Sequence, residues 1–190
     1  LGNGTALAFD ADGSRAWRTS VEGPTTWTAD GDLDGDPARE FVVATTEGVV
    51  AALDGRDGTV EWSRDLGSFA AVAAAGDPDG DGTVTVYATA KDGRLRALEG
   101  DTGETAWTTT LTDAEGQMTP PPVLGDVDGD GIREVVAVTN GGITRVLAPS
   151  GRILATHERR ADVSVFTHPT VADTDGDGRA EVYVVYGDGR

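Results

Sequence analysis

The sequence predicts an all-β fold made of repeated four-stranded antiparallel units, the architecture of a β-propeller. Two repeated patterns that run in one register predict it. Acidic loops of the form Asp-x-Asp-x-Asp recur four times, with starts separated by 45, 49 and 47 residues. Segments of the form Gly-x-x-x-Trp recur in the same register. A period of roughly 40 to 50 residues with strand-rich content is typical of propellers and solenoids.

The third repeat shows the strands of one unit most clearly. We predict strands at 122–125, 134–139, 143–148 and 152–158, because these runs are rich in β-branched residues and are separated by turn residues. Asn140-Gly141-Gly142 suits a tight turn between the second and third strands. Since no stretch shows a capped helical period, the prediction for the whole chain is β structure.

The repeats have boundaries at about 21–66, 67–112 and 113–160, and the fourth, 161–190, is completed by 1–20. The chain starts in the third strand of a unit, without a Met, and its last predicted strand is the second of a unit. We therefore expect a mature or excised fragment whose terminal pieces add up to one blade. This organisation suits a closed four-bladed ring, part of a seven- or eight-bladed ring, or two chains that share one ring.

The composition excludes several partners. The chain of 190 residues has 33 acidic and 15 basic residues and a formal charge of -18, which disfavours nucleic acid and anionic membranes. No apolar run approaches the roughly 20 residues of a transmembrane helix, so we expect no membrane insertion in this segment. Lys91 is the one lysine among the basic residues. This acidic, lysine-poor composition resembles that of proteins from salt-accumulating halophiles, and an acidic secreted protein from a GC-rich genome is the alternative. We expect an extracellular or cell-surface protein of a halophilic prokaryote.

The acidic loops are candidate calcium sites. The carboxylates at loop positions 1, 3, 5 and 9 and the carbonyl oxygen of position 7 can surround one cation, and Ca²⁺ prefers about 6 to 8 oxygen ligands. We expect three or four calcium ions with a structural role, because unneutralised carboxylates repel one another. The candidate ligands are Asp32, Asp34, Asp36, Ala38 and Glu40; Asp77, Asp79, Asp81 and Thr83; Asp126, Asp128, Asp130, Ile132 and Glu134; Asp173, Asp175, Asp177, Arg179 and Glu181.

The four loops differ in completeness. The third and fourth contain every expected ligand. In the first, Pro37 replaces the glycine at position 6 and forces a negative φ there. In the second, Thr85 replaces the carboxylate at position 9, so we expect that site to bind more weakly.

The two patterns resemble two families. The Asp-x-Asp-Gly-Asp-Gly-x-x-Glu loop resembles the FG-GAP and VCBS repeats of integrin-type propellers. The Ala-Leu-Asp-Gly-x-x-Gly-x-x-x-Trp segment resembles the repeats of pyrroloquinoline-quinone-type propellers. The second resemblance implies that Trp17, Trp62 and Trp107 dock one blade against the next, and that Ala155, in place of Trp, leaves one junction less well packed.

The predicted function is binding, adhesion or assembly, because no catalytic constellation is visible in the sequence. The partner would be a protein or glycan ligand, or neighbouring copies of the chain. The alternative is the propeller portion of a larger secreted enzyme, similar to a quinoprotein dehydrogenase or a polysaccharide lyase. The links between blades provide a candidate ligand face, although the aromatic residues there would also suit a cover over the core. This face contains Trp27, Phe69, Met118, Arg159 and His168.

Overall fold

The computed structural model of the chain describes residues 4–113, 119–159 and 164–187. Every regular element in these ranges is a β-strand, which confirms the predicted all-β fold. Within the same ranges no helix is long and apolar enough to cross a membrane.

The strands form five antiparallel sheets. The N-terminal hairpin contains β1 (Thr5–Phe9) and β2 (Arg15–Ser20). Blade 1 contains β3 (Thr25–Gly31), β4 (Glu40–Thr45), β5 (Val49–Asp54) and β6 (Val60–Asp65). Blade 2 contains β7 (Ala70–Gly76), β8 (Thr85–Ala90), β9 (Arg94–Glu99) and β10 (Thr105–Thr110). Blade 3 contains β11 (Val123–Gly125), β12 (Glu134–Val138), β13 (Ile143–Leu147) and β14 (Ile153–Glu158), and the C-terminal hairpin contains β15 (Thr170–Ala172) and β16 (Glu181–Tyr183).

The second strand of each blade is buried along almost its whole length, and the outer strands are not. Every residue of β5 is buried, whereas Trp62 is the one buried residue of β6 and the others are exposed or half-buried. Small and β-branched residues fill the middle strands because neighbouring blades cover both of their faces. This pattern places the core between the blades.

The first strands of the blades lie side by side. β7 contacts both β3 and β11, and β11 contacts β15. The acidic loops follow these inner strands, and the turns before the outer strands contact the ends of the loops. The N–H of Gly55 donates to the carbonyl of Arg39, and the N–H of Gly100 donates to the carbonyl of Val84. The acidic loops and these turns therefore share one end of the blades.

A tryptophan docks each of three junctions. Its indole N–H donates to a carbonyl oxygen in the turn before the outer strand of the next blade. The three bonds run from Trp17 to Gly55 (2.9 Å), from Trp62 to Gly100 (2.6 Å) and from Trp107 to Pro149 (2.7 Å). The structure thus contains the docking contacts that the resemblance implied.

Each docked indole packs against a glycine that no other residue could replace without a shift. At Gly103 φ is 67°, and a Cβ atom would lie 2.5 Å from the ring of Trp62. Gly58 and Gly151 meet Trp17 and Trp107 in the same way. The repeated Gly-x-x-x-Trp pattern therefore takes part in two junctions. Its glycine packs against the indole of the preceding blade, and its tryptophan, four residues later, packs on the following blade.

The two hairpins belong to separate sheets. Among the described strands, β1 and β2 pair with each other, β15 and β16 pair with each other, and no hydrogen-bonded ladder joins the two pairs. The number of blades in the ring stays open.

Candidate metal centres and binding faces

Each acidic loop brings three carboxylates together, with one ligand oxygen from each lying within 4.8 Å of the others. In three loops the group comes from positions 1, 3 and 9, and in the second, where Thr85 stands at position 9, it comes from positions 1, 3 and 5. The groups are Asp32, Asp34 and Glu40; Asp77, Asp79 and Asp81; Asp126, Asp128 and Glu134; Asp173, Asp175 and Glu181.

The position-5 carboxylate braces the loop in every repeat. One of its oxygens accepts the backbone N–H of position 7, as Asp130 does from Ile132 at 2.8 Å. The same bond joins Asp36 to Ala38, Asp81 to Thr83 and Asp177 to Arg179. This leaves the other carboxylate oxygen for a cation in the second, third and fourth loops, whereas in the first loop Oδ2 of Asp36 accepts from Arg56 at 2.6 Å. Ligation by the carbonyl of position 7 stays a prediction.

The position-1 carboxylate is less constrained in the first loop than in the others. In the third loop Asp126 accepts the N–H groups of Gly129 at 2.7 Å and Gly131 at 2.9 Å, one on each oxygen. Pro37 has no N–H to donate, and Asp32 accepts from Gly35 through Oδ1. The proline therefore leaves Asp32 Oδ2 with more capacity for a metal.

Glu40 is the strongest indication that the first loop is a metal site. Its side chain is 1% exposed, and Oε2 accepts the N–H of Leu33. Oε1 is buried and has no hydrogen-bond partner among the described residues. Burial raises the pKa of Glu40, and the neighbouring carboxylates of Asp34 and Asp32 add to the rise. A buried carboxylate oxygen without a partner is costly, and a cation held by the same three carboxylates would satisfy it.

The corresponding glutamates of the third and fourth loops have different surroundings. Glu134 is buried and accepts the N–H of Val127 at 2.9 Å, and burial raises its pKa. Glu181 is partly exposed and accepts both the hydroxyl and the N–H of Thr174, at 2.6 and 2.9 Å. These hydrogen bonds lower the pKa of Glu181.

Two further charged residues near the first loop escaped the sequence patterns. Glu61 is exposed, yet partial desolvation beside the acidic loop, together with the charges of Glu40 and Asp34, raises its pKa to about 7. Arg56 lies 2.6 Å from Asp36 and 2.8 Å from Asp54, and so ties the acidic loop to the turn before β6. In the sequence, the position of Arg56 two residues after Asp54 could have indicated the contact between these two residues.

The acidic loops are also linked to one another. The Arg133 side chain donates to the carbonyl of Asp77 at 2.9 Å, and its N–H donates to the carbonyl of Pro78 at 2.9 Å. The N–H of Ala180 donates to the carbonyl of Asp126 at 2.8 Å. These bonds couple the second loop to the third and the third to the fourth. No sequence pattern indicated these bonds, because each joins residues of different repeats.

An acidic cavity of about 560 Å³ opens between the first and second loops. Asp32 and Asp34 line one side of it, and Glu99 and Asp101 line another. Its charge favours cations and disfavours phosphate groups.

The proposed ligand-face residues fall into separate groups. Trp27 and Phe69 are half-buried and form an edge-to-face pair with ring centroids 5.8 Å apart. Trp27 also packs against the core, as in the alternative in which these aromatic residues cover it. Arg159 lies over the ring of Tyr186, 4.4 Å from its centroid, and His168 is exposed. Met118 lies outside the described residues.

The comparison with protein families decides the family of the chain. A PQQ-type repeat family described as "Outer membrane protein assembly factor BamB" matches residues 2–190. The chain belongs to this family. The resemblance to PQQ-type repeats is thereby confirmed, and the resemblance of the BamB-family chain to FG-GAP and VCBS repeats stays a prediction. No curated protein matches the chain.

Solved structures agree on the fold. BamB from Moraxella catarrhalis is 24% identical, with a TM-score of 0.69 over 97% of this chain and 50% of that chain. The computationally designed Ika8 protein is 19% identical, with a TM-score of 0.65 over 97% of this chain and 54% of that one. The designed Ika4 protein is 19% identical, with a TM-score of 0.60 over 91% of this chain and 99% of that one. The chain thus spans about half the length of the first two, and the predicted propeller fold is confirmed.

Proposed function

We propose that the chain is a calcium-stabilised propeller that binds protein and serves as an adhesion or assembly module without catalysing a reaction. Its membership in a family described as an outer membrane protein assembly factor supports the assembly role. Propellers host many activities, so the site has to supply the rest of the argument.

The observation that carries the calcium part is the buried, unpartnered Oε1 of Glu40 beside Asp32 and Asp34. All the donors gathered there are oxygens, which suits Ca²⁺ and disfavours softer metals. The position-1, -3 and -9 carboxylates would hold the ion, and the ion would supply positive charge that cancels their repulsion. The other three loops gather similar sets, so we propose three or four ions.

The role of the metal follows from the position of the loops. Each loop joins the first and second strands of a blade, and the bonds of Arg133 and Ala180 join neighbouring loops. Neutralising the carboxylates would fix one end of the blades as a rigid unit. A preorganised end loses less conformational entropy when a partner binds.

Thermal unfolding with calcium, with magnesium and with a chelator tests the metal proposal. We expect calcium to raise Tm well above the value in chelator, and magnesium to raise it much less, because Mg²⁺ rarely accepts such a cage. Terbium luminescence, titrated against calcium, would count the sites. An unchanged Tm and no terbium binding would refute the proposal.

The binding role has a separate test. The immobilised chain would be offered envelope proteins of its own cell and an array of glycans, in calcium and in chelator. Calcium-dependent retention of protein supports the proposal, and retention of glycans alone would replace it with a lectin-like role.

The extracellular or cell-surface location and the halophilic source also remain proposals, supported by the charge of -18 and by the family description. Because concentrated salt screens the repulsion among surface carboxylates, Tm should rise steadily with potassium chloride at constant calcium.

The competing function is the propeller portion of a quinoprotein dehydrogenase or a polysaccharide lyase. Titration of the native chain with pyrroloquinoline quinone, followed by absorbance, addresses the first. A saturable spectral change would favour the quinoprotein.

A further inference from the structure

The turn before β6 places an arginine against the first acidic loop. The Nη2 atom of Arg56 lies 2.6 Å from Oδ2 of Asp36 and 2.8 Å from Oδ2 of Asp54. Asp36 stands at position 5 of the loop, and its Oδ1 already accepts the N–H of Ala38. Both oxygens of this carboxylate are therefore engaged by groups of the protein itself.

The position-5 carboxylates of the other loops have no such partner. Each accepts the N–H of position 7 through Oδ1, and within residues 4–113, 119–159 and 164–187 no ion pair reaches any of them. These carboxylates belong to Asp81, Asp130 and Asp177. The contact with an arginine thus distinguishes the first loop from the other three.

The turn of blade 2 carries the opposite charge at the same place. In both blades the residue at loop position 9 pairs in register with the residue that begins this turn, which is Asp54 in blade 1 and Glu99 in blade 2. Arg56 follows Asp54 by two residues, and Asp101 follows Glu99 by two residues. The cation is therefore a property of blade 1 and not of the repeat.

The other three carboxylates of the first loop gather around one point without Asp36. One oxygen from each of Asp32, Asp34 and Glu40 lies within 4.8 Å of the others. Oε1 of Glu40 is buried and has no hydrogen-bond partner among the described residues, so this group has an oxygen that a cation would satisfy. The first loop offers three carboxylates to an ion, and the fourth is paired with an arginine.

A cation in the first loop has to compete with the guanidinium of Arg56. Asp36 can become a ligand only when its ion pair opens, and a guanidinium that stays in place repels the ion. The calcium affinity of such loops depends on the number of charged ligands. The side chains of Arg56 and Asp36 are 59% and 33% exposed, so solvent screens the pair and the competition should be about tenfold in affinity.

The same arginine has the opposite effect when calcium is scarce. Its positive charge offsets part of the repulsion among the carboxylates of the loop, and its two ion pairs hold the loop to the turn before β6. Arg56 should therefore stabilise the chain in chelator and oppose the ion in calcium.

We propose that Arg56 is an internal counterion that competes with calcium for the first loop. It keeps Asp36 out of the ligand set, so the loop binds its ion through Asp32, Asp34 and Glu40. The loop then fills at a higher calcium concentration than four carboxylates would require. This inference rests on the proposed function, because it concerns the calcium of the same loop.

A calcium titration of the whole chain, followed by amide NMR, measures each loop separately. The N–H groups of Leu33 and Gly35 donate to carboxylates of the first loop, and those of Gly129 and Gly131 donate to Asp126 of the third. In Arg56→Gln we expect the midpoint of the first-loop amides at about tenfold lower calcium. The third-loop midpoint should stay within about twofold.

The matched control is Arg39→Gln, which removes the same charge from the same loop. Arg39 pairs with Asp30 at 2.9 Å, and Asp30 is not a candidate ligand. The side chain of Arg39 is 65% exposed, close to the 59% of Arg56. We expect a change of about twofold or less in the first-loop midpoint. An equal gain in both variants would show that net charge alone is responsible, and would overturn the proposal.

A second substitution identifies the carboxylate that Arg56 withholds. Asp36→Asn keeps an oxygen for the N–H of Ala38 and should weaken binding in the native chain by only about threefold or less. In the Arg56→Gln background it should remove most of the tenfold gain. A gain that survives Asp36→Asn would overturn the role of Asp36.

Thermal unfolding gives an independent measurement. Arg56→Gln should have a lower Tm than the native chain in chelator and a larger rise in Tm on addition of calcium. An equal rise in both chains would contradict the competition. The NMR titration also separates the two proposals. First-loop amides that ignore calcium in both chains would refute the calcium site itself, whereas a shared midpoint would refute only the role of Arg56.

Discussion

Blade 1 and the C-terminal hairpin carry nearly the same acidic loop in different surroundings. Glu40 is sealed beneath β5, where it lies opposite Asp54, and burial raises its pKa. Glu181 is partly exposed, and the hydrogen bonds from Thr174 lower its pKa. The loop therefore supplies the carboxylates, and the burial and hydrogen bonds of the last carboxylate decide how strongly it needs a cation.

The largest effect should come from making a complete junction resemble the one at Ala155. Trp62→Ala should reduce the free energy of unfolding by about 3 to 5 kcal/mol, through the lost packing and the cavity left behind. Urea unfolding measures the loss. The matched control is Val60→Ala on the same strand, where the side chain is exposed, and a loss of similar size there would contradict the docking role of Trp62.

A smaller loss should follow from the other half of the same junction. Gly103→Ala places a methyl group against the ring of Trp62 in addition to the strained φ, so we expect about 2 to 4 kcal/mol. Gly13 has a similar φ of 85° and nothing within 4 Å of the added Cβ atom. Gly13→Ala should therefore cost about 1 to 2 kcal/mol. Equal losses would show that the indole contact contributes nothing.

The two glutamates should respond to neutralisation with opposite signs. In chelator, Glu40→Gln removes a buried, unpartnered charge and should stabilise the chain by roughly 1 kcal/mol. Glu181→Gln weakens the hydrogen bonds from Thr174 and should destabilise it by roughly 0.5 to 1 kcal/mol. Both variants should gain less Tm from added calcium than the native chain. Destabilisation by Glu40→Gln in chelator would refute the inference that Oε1 of Glu40 is an unpartnered, unfavourable buried oxygen.

The smallest effect should be a response to pH that calcium does not alter. Burial alone would raise the pKa of Asp92, but the hydrogen bond and charge of Arg96 lower it from 3.8. The stabilisation is therefore present above the unfolded pKa and is lost as the pH falls through the lower, folded value. Asp92→Asn should cost about 1 kcal/mol or less at pH 7 and flatten the loss of stability below about pH 4. Urea unfolding across this range checks it.

The sequence predicted the parts of the fold that recur in each repeat. The strands of blade 3 lie within two residues of their predicted ends, because Gly and Asn turns delimit them. The carboxylate groups of the loops also follow their spacing. The burial of Glu40 could not be predicted, because it depends on β5 lying over it. Nor could the bond from Arg133 to Asp77, because no local pattern relates residues of different blades.

Pro37 also shows what the local sequence pattern could not predict. The sequence marks it as a departure from the loop pattern, and Gly131 and Gly178 do have positive φ at that position. The pattern did not show that the glycine at position 6 also donates its backbone N–H to the position-1 carboxylate. Without the N–H of a glycine at position 6, Asp32 keeps Oδ2 available for a cation, whereas Oδ2 of Asp126 accepts the N–H of Gly131.

The junction between blades is divided between repeats, since the tryptophan belongs to one repeat and the glycine beneath it to the next. Duplicating or deleting a whole repeat in the gene would leave every such pair intact, wherever the boundary of the copied segment falls. Loss of part of a repeat would leave a tryptophan without its glycine or a glycine without its tryptophan. The chemistry of the contact therefore permits the family to change its number of blades in whole steps and penalises every intermediate length.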